Sequence, residues 1–315
     1  MDSRIYSNEM IENMKLHLNK SENRFITYPK FVFLCGKAFQ NYSRYKLTNR
    51  GIVENYLKSK SEGVFIVLSE KLWEDGFDKE IDLLTFEEFL AEVSDAIILF
   101  AESPGSYCEL GAFSYADKLF SDKLIIVIDD KYKNNKSFII TGPTAKAQKN
   151  GAQVVYAPFK SGDLLSSIDL INVLEDKSFE FSSKSAARNK RKPNVKHNSV
   201  LVNAFILELL NLIQITQPIS RKDLLDLYKV IKGFSSFSFV KSDGTKFNTE
   251  IKYSYIIKLL YTVGLINVNG DIITSNFIRK SQQLMFNYNK TEENRERNKL
   301  LCRIYKNKGI KNEFY

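Results

Sequence analysis

Histidine and cysteine are scarce in this chain of 315 residues, which holds two histidines and three cysteines. The cysteines Cys35, Cys108 and Cys302 lie far apart without CxxC spacing, so the sequence predicts neither a disulfide framework nor a zinc knuckle. With only His17 and His197 available, a metal site built on histidine is not expected. These absences point to chemistry that is carried by other side chains.

Long apolar runs are also absent. No stretch approaches the roughly 20 residues that span a bilayer, and the N-terminus lacks the apolar region of a signal peptide. We therefore expect a soluble, cytoplasmic protein that does not enter a membrane. A hydrophobic content of 43% over 315 residues allows substantial buried cores and favours two domains. The formal net charge of +9 is compatible with a polyanionic partner.

The most informative stretch of the chain runs from Ser94 to Phe113. Its apolar run Ala96 to Phe100 predicts a buried strand, and a helical pattern follows after a short polar turn. Backbone N–H groups in such a turn, beside a helix N-terminus at the carboxyl edge of a parallel sheet, are suited to bind a ligand phosphate. The residues of this turn are Ser103, Pro104, Gly105 and Ser106.

Glu109 follows one turn into the predicted helix, where its carboxylate can face the same crevice. The structural alternative is that an acidic residue in a first turn only complements the helix dipole. The neighbouring Cys108 is the other nucleophile to consider, but adjacent helix residues point about 100° apart. Because no histidine lies nearby in sequence to activate a thiol, we predict that Cys108 packs in the core.

The spacing S-x-G-S-x-x-E-x-G resembles the signature of nucleoside deoxyribosyltransferases, and it is carried here by Ser103, Gly105, Ser106, Glu109 and Gly111. It is also similar to the P-G-G-x-G-T-x-x-E motif of the LOG-like nucleotide phosphoribohydrolases. Both families break N-glycosidic bonds. The layout of the whole chain resembles the deoxyribosyltransferase-like effectors encoded with bacterial retrons, in which such a domain precedes a winged helix.

The resemblance implies an N-glycosidase in which Glu109 attacks the anomeric carbon and no cofactor takes part. A nicotinamide leaving group is positively charged and needs little acid assistance, so NAD is the favoured substrate and would be cleaved to nicotinamide and ADP-ribose. Ser106 stands where many deoxyribosyltransferases have threonine, and Ala101-Glu102 where an Asp-Gly type turn often occurs. These departures favour hydrolysis over transfer to a second base.

The resemblance also implies a biological role. The protein would be the toxic effector of an antiphage defence system, controlled by the retron reverse transcriptase and its RNA–DNA product, the msDNA. Related glycosidases often share active sites between subunits, so a homo- or hetero-oligomer is expected. The alternative is a nucleotide-sensing winged-helix regulator of transcription or nucleic-acid binding that has no catalytic activity.

Two further strand ends supply candidate substrate-binding residues. Phe31 to Cys35 predicts the first buried strand, and its end resembles the ligand loop of the same glycosidases, which makes candidates of Cys35, Gly36 and Lys37. Gly36 would permit close backbone approach, and Lys37 could meet a phosphate. Asp129 lies beyond the strand Lys123 to Ile128 and is a candidate for orienting a ribose hydroxyl, although solvated loop acids are commoner.

Five buried strands alternating with helices predict a Rossmann-like, doubly wound parallel sheet over residues 1–177. An amphipathic helix in its first 30 residues is expected to pack on the body or on another subunit. Thr85 is the predicted N-cap of a helix that runs to Val93. Lys136 to Lys149, which contains Gly142-Pro143, is predicted to form a mobile loop.

Residues 178–197 form a predicted basic linker whose cations include Lys190, Arg191 and Lys192. Such a run is either a solvated tether or a contact for nucleic-acid backbone. Residues 198–315 have helical patterns and an Asn269-Gly270-Asp271 hairpin signal, which predict an α+β winged helix-turn-helix domain with a C-terminal helix. Lys252 and Lys258 on its third helix would contact nucleic acid, and protein docking is the alternative.

Overall fold

The computed structural model describes residues 6–21, 30–37, 42–60, 63–74, 81–115, 118–160, 163–179, 198–276, 302–304 and 306–309. The chain divides into two compact units. The α/β unit comprises Pro29–Phe181, and the helical unit combines Met1–Tyr28 with Ser182–Tyr315. The sequence assigned residues 1–177 to one domain, whereas the first helix, α1 (Asn8–Ser21), belongs to the helical unit in the structure.

A sheet of five parallel strands forms the centre of the α/β unit, in the order β2-β1-β3-β4-β5. The strands are β1 (Lys30–Cys35), β2 (Val64–Val67), β3 (Ala96–Phe100), β4 (Leu124–Asp129) and β5 (Gln153–Ala157). Every residue of β3 and β4 is buried, as expected for nearly continuous apolar strands that are covered on both faces. The predicted α/β fold with a parallel sheet is therefore confirmed.

Helices connect and cover these strands. They are α2 (Tyr42–Tyr45), α3 (Asn49–Lys60), α4 (Ser69–Glu74), α5 (Leu83–Val93), α6 (Pro104–Tyr115), α7 (Lys118–Ser121), α8 (Ala145–Lys149) and α9 (Ile168–Phe179), with 3-10 turns at Asp130–Tyr132 and Leu164–Ser166. Leu57 of α3 and Leu174 of α9 are fully buried in one core cluster with residues of the sheet. Apolar residues of the helices thus close the core over the strands.

The predicted N-cap of α5 is wrong. The helix begins at Leu83, and the Asp82 carboxylate accepts the N–H of Thr85 at 2.9 Å, so Asp82 is the cap and Thr85 lies in the first turn. Both residues can accept a hydrogen bond from a free helix N–H, and the chain uses the earlier one. The shift lengthens α5 by the apolar pair Leu83 and Leu84.

The segment predicted as a mobile loop, Lys136 to Lys149, is mostly helical. Residues 138–149 form a continuous helical segment in which the π-helix Ile140–Thr144 leads into α8. Pro143 accounts for the wide turn, because its ring would collide with the carbonyl four residues earlier in a regular α-helix. The segment packs against α6, and Asn150 just beyond it donates a side-chain hydrogen bond to the Ser114 carbonyl at 3.4 Å.

The helical unit contains α10 (Val202–Thr216), α11 (Arg221–Lys232) and α12 (Tyr253–Thr262). Strands β7 (Ile219–Ser220), β9 (Ile266–Asn269) and β10 (Ile272–Ser275) form an antiparallel sheet, and β6 (Ser199–Leu201) pairs in parallel with β8 (Ser238–Val240). Gly270 turns the β9–β10 hairpin with a φ of 60°, as the Asn-Gly signal predicts. The elements follow the order predicted for a winged helix-turn-helix.

Helix α1 is held in the helical unit by both of its methionines. Met10 and Met14 are buried, and α1 packs against α11. Arg303 pairs with Glu9 at 2.8 Å, so a residue of the C-terminal region contacts α1 within this unit. No helix in the described part of the chain is long and apolar enough to cross a membrane.

Candidate active site

The strand order creates a crevice between β1 and β3. The chain leaves β1 towards β2 on one side and returns to β3 on the other, so loops after β1 and β3 diverge from a switch point. Ligands of open α/β sheets bind at this place, beyond the carboxyl ends of the strands. Here β1 ends at Cys35, β3 ends at Phe100, and the loop after β3 enters α6, which carries Glu109.

The Glu109 carboxyl is the most perturbed acid of this crevice. Its pKa is raised to about 8, chiefly by burial and also by the charges of Glu87 and Glu70, while the Arg50 guanidinium acts in the opposite direction. One carboxyl oxygen, Oε2, is buried and has no hydrogen-bond partner among the described residues. A buried carboxyl that is not tied to a neighbour is available to react with a ligand, and such groups mark candidate functional sites.

Arg50 and Glu70 form a buried pair next to this carboxyl. Arg50 Nη2 lies 2.6 Å from Glu70 Oε1, and it also donates to the Lys37 carbonyl at 2.6 Å. The side chain of Arg50 is 2% exposed, so its charge is compensated inside the unit. It joins α3 and α4 to the end of β1 and leaves Glu109 only partly neutralised.

Glu87 on α5 completes the group of acids. Its pKa is raised to about 7, chiefly by burial and to a smaller extent by the charge of Glu70, while a hydrogen bond with the Ser69 side chain lowers it. The sequence reasoning missed Arg50, Glu70 and Glu87. One signal for Glu87 was available, since Leu90 and Ala91, which follow it by three and four residues, lie on the same buried helix face.

Glu102 fastens the end of β1 to the loop after β3. Its carboxylate accepts the Lys37 N–H at 3.1 Å and an Asn49 side-chain N–H at 2.7 Å. A Cβ atom on Gly36 would lie 3.0 Å from Glu102 Oε1 and 3.3 Å from the Cβ of Phe100. The missing side chain of Gly36 thus makes room for the Glu102 carboxylate, and the predicted approach of a ligand to Gly36 stays a prediction.

The other predicted residues of the β1 end divide between core and surface. Cys35 is buried, and desolvation raises the pKa of its thiol well above the ordinary value. It forms part of the wall below the crevice. Lys37 is exposed, so its ammonium group can reach an incoming anion.

Asp129, the predicted residue at the end of β4, already has a partner. It accepts the Lys131 N–H at 3.3 Å and pairs with the Lys131 ammonium at 2.7 Å.

The turn from Ser103 to Ser106 lies at the N-terminus of α6 as predicted, but it uses most of its own donors. Ser106 Oγ accepts the N–H groups of Glu102 at 3.1 Å and Ser103 at 3.0 Å, while Ser103 Oγ accepts the Ser106 N–H at 3.3 Å. Pro104 has no N–H to offer. Gly105 is exposed, and a Cβ there would meet no atom within 4 Å, so it is the position of the turn most open to a ligand.

A separate groove of about 790 Å³ lies beyond the ends of β4 and β5. Residues of the Asp130–Tyr132 turn, of the end of β5 and of the start of α9 line it, including Lys131, Lys133, Tyr156, Ser167 and Asp169. Neither Glu109 nor Asp129 lines this groove. Glu109 is the candidate reacting residue, because the raised pKa and the buried carboxyl oxygen without a hydrogen-bond partner among the described residues occur there.

Other predicted residues lie elsewhere. Cys108 is exposed, so the prediction that it packs in the core is wrong: it lies on the outer side of α6, one helix position away from Glu109. Lys252 precedes α12 and Lys258 lies within it, and both are half-buried. Lys190, Arg191 and Lys192 lie outside the described residues.

Comparison with known proteins decides the family. Residues 46–268, more than half of the chain, match the profile of the STM3845 retron effector protein family. The chain belongs to this family. The match includes Arg50, Glu70, Glu87 and Glu109 and continues into the helical unit as far as β9.

Two relatives from Escherichia coli carry names that combine a ribosyltransferase with a DNA-binding protein. The chain is 39% identical over 126 residues to a protein of retron Ec86 named as a candidate ribosyltransferase/DNA-binding protein, covering 39% of each chain. It is 29% identical over 216 residues to the protein of the same description from retron Ec73, covering 66% of this chain and 68% of the relative. Membership of the retron effector family thus agrees with the resemblance found in the sequence.

Proposed function

We propose that this retron effector is an N-glycosidase that cleaves a nucleotide, with NAD as the favoured substrate and Glu109 as the nucleophile. The observation that carries the proposal is the half-buried Glu109 at the β1–β3 switch point, whose pKa is raised to about 8 and whose buried Oε2 has no hydrogen bond to the described residues. The ribosyltransferase part of the relatives' names agrees with chemistry at an anomeric carbon.

The reaction consists of two displacements. A Glu109 oxygen bonds to the anomeric carbon as the bond to nicotinamide breaks, and the bonding electron pair passes to the ring nitrogen to give neutral nicotinamide. Water then attacks the same carbon, releases the Glu109 carboxylate and yields ADP-ribose. A carboxylate beside the site takes the proton of the water, and Glu87, with a pKa raised to about 7, is suited to this at neutral pH.

The charges around Glu109 favour a cationic substrate. Burial disfavours the ionised form of Glu109 most, the charges of Glu87 and Glu70 add to this effect, and Arg50 offsets it only in part, so the free carboxyl holds a proton near neutral pH. A positively charged nicotinamide ring in the crevice would counter this field and lower the pKa of Glu109. The substrate would thereby help to generate its own nucleophile, and no cofactor is required for the step.

The helical unit and the basic linker would connect the enzyme to its regulator. We expect the retron reverse transcriptase and its msDNA to bind through the winged-helix arrangement, including Lys252 and Lys258, and through Lys190, Arg191 and Lys192. The DNA-binding part of the relatives' names supports this assignment. Phage infection would then release or activate a toxic NAD hydrolase, which is expected to work as an oligomer.

The decisive test is Glu109→Gln, which keeps the side-chain volume but removes the nucleophile. We expect the turnover of NAD to fall by several orders of magnitude, because an amide cannot replace a covalent nucleophile. Chromatography of released nicotinamide and ADP-ribose measures the loss, and thermal unfolding checks the fold. Cys108→Ser is the matched control, since this exposed neighbour on α6 is expected to keep full activity.

Unchanged turnover in Glu109→Gln would remove Glu109 from the mechanism. If the native protein binds nucleotides tightly but releases no nicotinamide, with or without the reverse transcriptase and msDNA, the nucleotide-sensing regulator becomes the correct reading. A panel of nucleosides and nucleotides in the same assay identifies a different substrate, if NAD is not the one cleaved.

A further inference from the structure

The segment that links β4 to β5 has an unusual composition for an exposed surface. Residues 130–152, DKYKNNKSFIITGPTAKAQKNGA, contain five lysines, and their one acidic residue is the exposed Asp130 at the first position. All five lysines are exposed, and Lys131 is the one that pairs with Asp129. Positive charge without interspersed acids is a feature of surfaces that bind polyanions.

Two aromatic rings stand out of the surface in the same region. Phe138 is 81% exposed and Tyr115 is 82% exposed, although large apolar side chains normally bury more of their area. Both belong to packed elements: Phe138 starts the helical segment 138–149, and Tyr115 ends α6, against which that segment packs. Their exposure is thus built into ordered helices.

Each ring is held in place by a neighbour on the helical segment. A Cβ atom on Gly142 would lie 3.2 Å from the Phe138 ring, so the absence of a side chain lets this ring lie against the helix. The Lys146 ammonium lies 5.8 Å from the centre of the Tyr115 ring, within the range of a cation–π contact. Gly142 and Lys146 are four residues apart, which places both rings along one side of the segment.

We infer that Tyr115, Phe138, Lys133, Lys136, Lys146 and Lys149 form a face that binds single-stranded nucleic acid on the α/β unit itself. Rings that present an open side stack on unpaired bases, and the lysines neutralise phosphates along the strand. A duplex hides its bases from such rings, which is why the single strand is the expected ligand. The face is additional to the contacts proposed for the helical unit and does not depend on Glu109.

A second copy of the chain fits this face less well. In a symmetric contact the same patch would meet itself, and five lysines of one copy would face five lysines of the other with Asp130 as the one acidic residue of each segment. A polyanion removes this repulsion. Charge complementarity therefore selects nucleic acid over self-association.

Binding of the full chain to a fluorescent oligothymidylate of about 20 nucleotides, measured by anisotropy across a salt series, tests the face. We expect Tyr115→Ala and Phe138→Ala each to weaken binding at least about fivefold, since a lost stacked base is worth about 1–3 kcal/mol. Phe138→Trp should retain binding. Replacing Lys133, Lys136 and Lys146 with alanine should reduce the salt slope by about 2, or about 0.7 for each lost phosphate contact.

Leu47→Ala and Lys160→Ala are the controls, because both side chains are exposed elsewhere on the α/β unit. An oligonucleotide carrying 5-iodouracil adds a direct readout: ultraviolet crosslinks mapped by mass spectrometry should fall on Tyr115 or Phe138. Crosslinks found only outside the face, together with unchanged affinity in the variants, would overturn the proposal. Loss of self-association in sedimentation without any change in oligonucleotide binding would assign the face to a second copy instead.

Discussion

In the proposed reaction the Glu109 carboxyl must lose its proton before it attacks, so the raised pKa of Glu109 should appear in the pH dependence of the rate. The residue needs a low-dielectric, partly acidic surrounding to be reactive, and the same surrounding holds its proton up to about pH 8. We expect kcat/KM for NAD to rise with pH and to level off above the pKa of Glu109, at which half of the carboxyl is ionised.

Glu87→Gln tests the source of this pKa. The charge of Glu87 raises the pKa of Glu109, so its removal should move the rising limb of the pH–rate profile to lower pH. The maximal rate should fall if Glu87 also accepts the proton of the water in the second step. Profiles of the two proteins between about pH 5 and 9 give the comparison, with Glu250→Gln as the exposed control. If the rising limb of the pH–rate profile lies at the same pH in both proteins, the charge of Glu87 does not raise the pKa of Glu109.

Two side chains, Arg50 and Glu102, join the elements around the crevice. Arg50 on α3 contacts Glu70 on α4 and the Lys37 carbonyl after β1, while Glu102 bridges the same end of β1 to the loop before α6. The active-site edge of the sheet is therefore held by polar contacts, whereas its centre is held by apolar packing. This arrangement places charged groups next to the reacting carboxyl without leaving them unpaired.

Arg50→Met should destabilise the α/β unit by about 3 kcal/mol, because it leaves Glu70 without its buried partner. The double variant with Glu70→Met should recover part of the loss, since both charges are then absent. Denaturant unfolding followed by the fluorescence of Trp73 measures the effect, as this residue of α4 is the single tryptophan of the chain. A double variant less stable than Arg50→Met would show that the pair is not the cause.

At the scale of the whole molecule, the chain begins and ends in the helical unit, and the α/β unit is inserted between. Helix α1 contributes Met10 and Met14 to this unit, and Lys308 near the C-terminus donates hydrogen bonds to the carbonyls of Thr216 and Pro218, the latter at 2.6 Å. Burial lowers the pKa of Lys308 to about 8. Because α1 belongs to the helical unit, a deletion at the N-terminus that removes α1 would affect this unit.

Met14→Ala tests this division. Removing a fully buried methionine should cost about 2–5 kcal/mol, and the loss should fall on the helical unit. Far-ultraviolet circular dichroism should show an earlier transition, while the fluorescence of Trp73 in the α/β unit and the cleavage of NAD stay close to those of the native protein. Glu12→Ala, at an exposed position on the same helix, serves as the control. A matching shift of the Trp73 transition would place α1 with the α/β unit.

The sequence by itself determined the features that depend on neighbours along the chain. Apolar runs predicted the strands, the turn after β3 and Glu109 came from one continuous motif, and Asn269-Gly270 marked the hairpin. Each follows from local sterics, hydrogen bonding or periodicity, which a few adjacent residues are enough to specify.

The tertiary structure alone decided which distant groups meet. Arg50, Glu70 and Glu87 come from three helices, and only the packing of these helices sets the burial and field that raise the pKa of Glu109. It also decided that Cys108 faces outwards and that α1 joins the helical unit. Electrostatic energy and burial depend on distances in space, and these distances cannot be read from the positions of residues along the sequence.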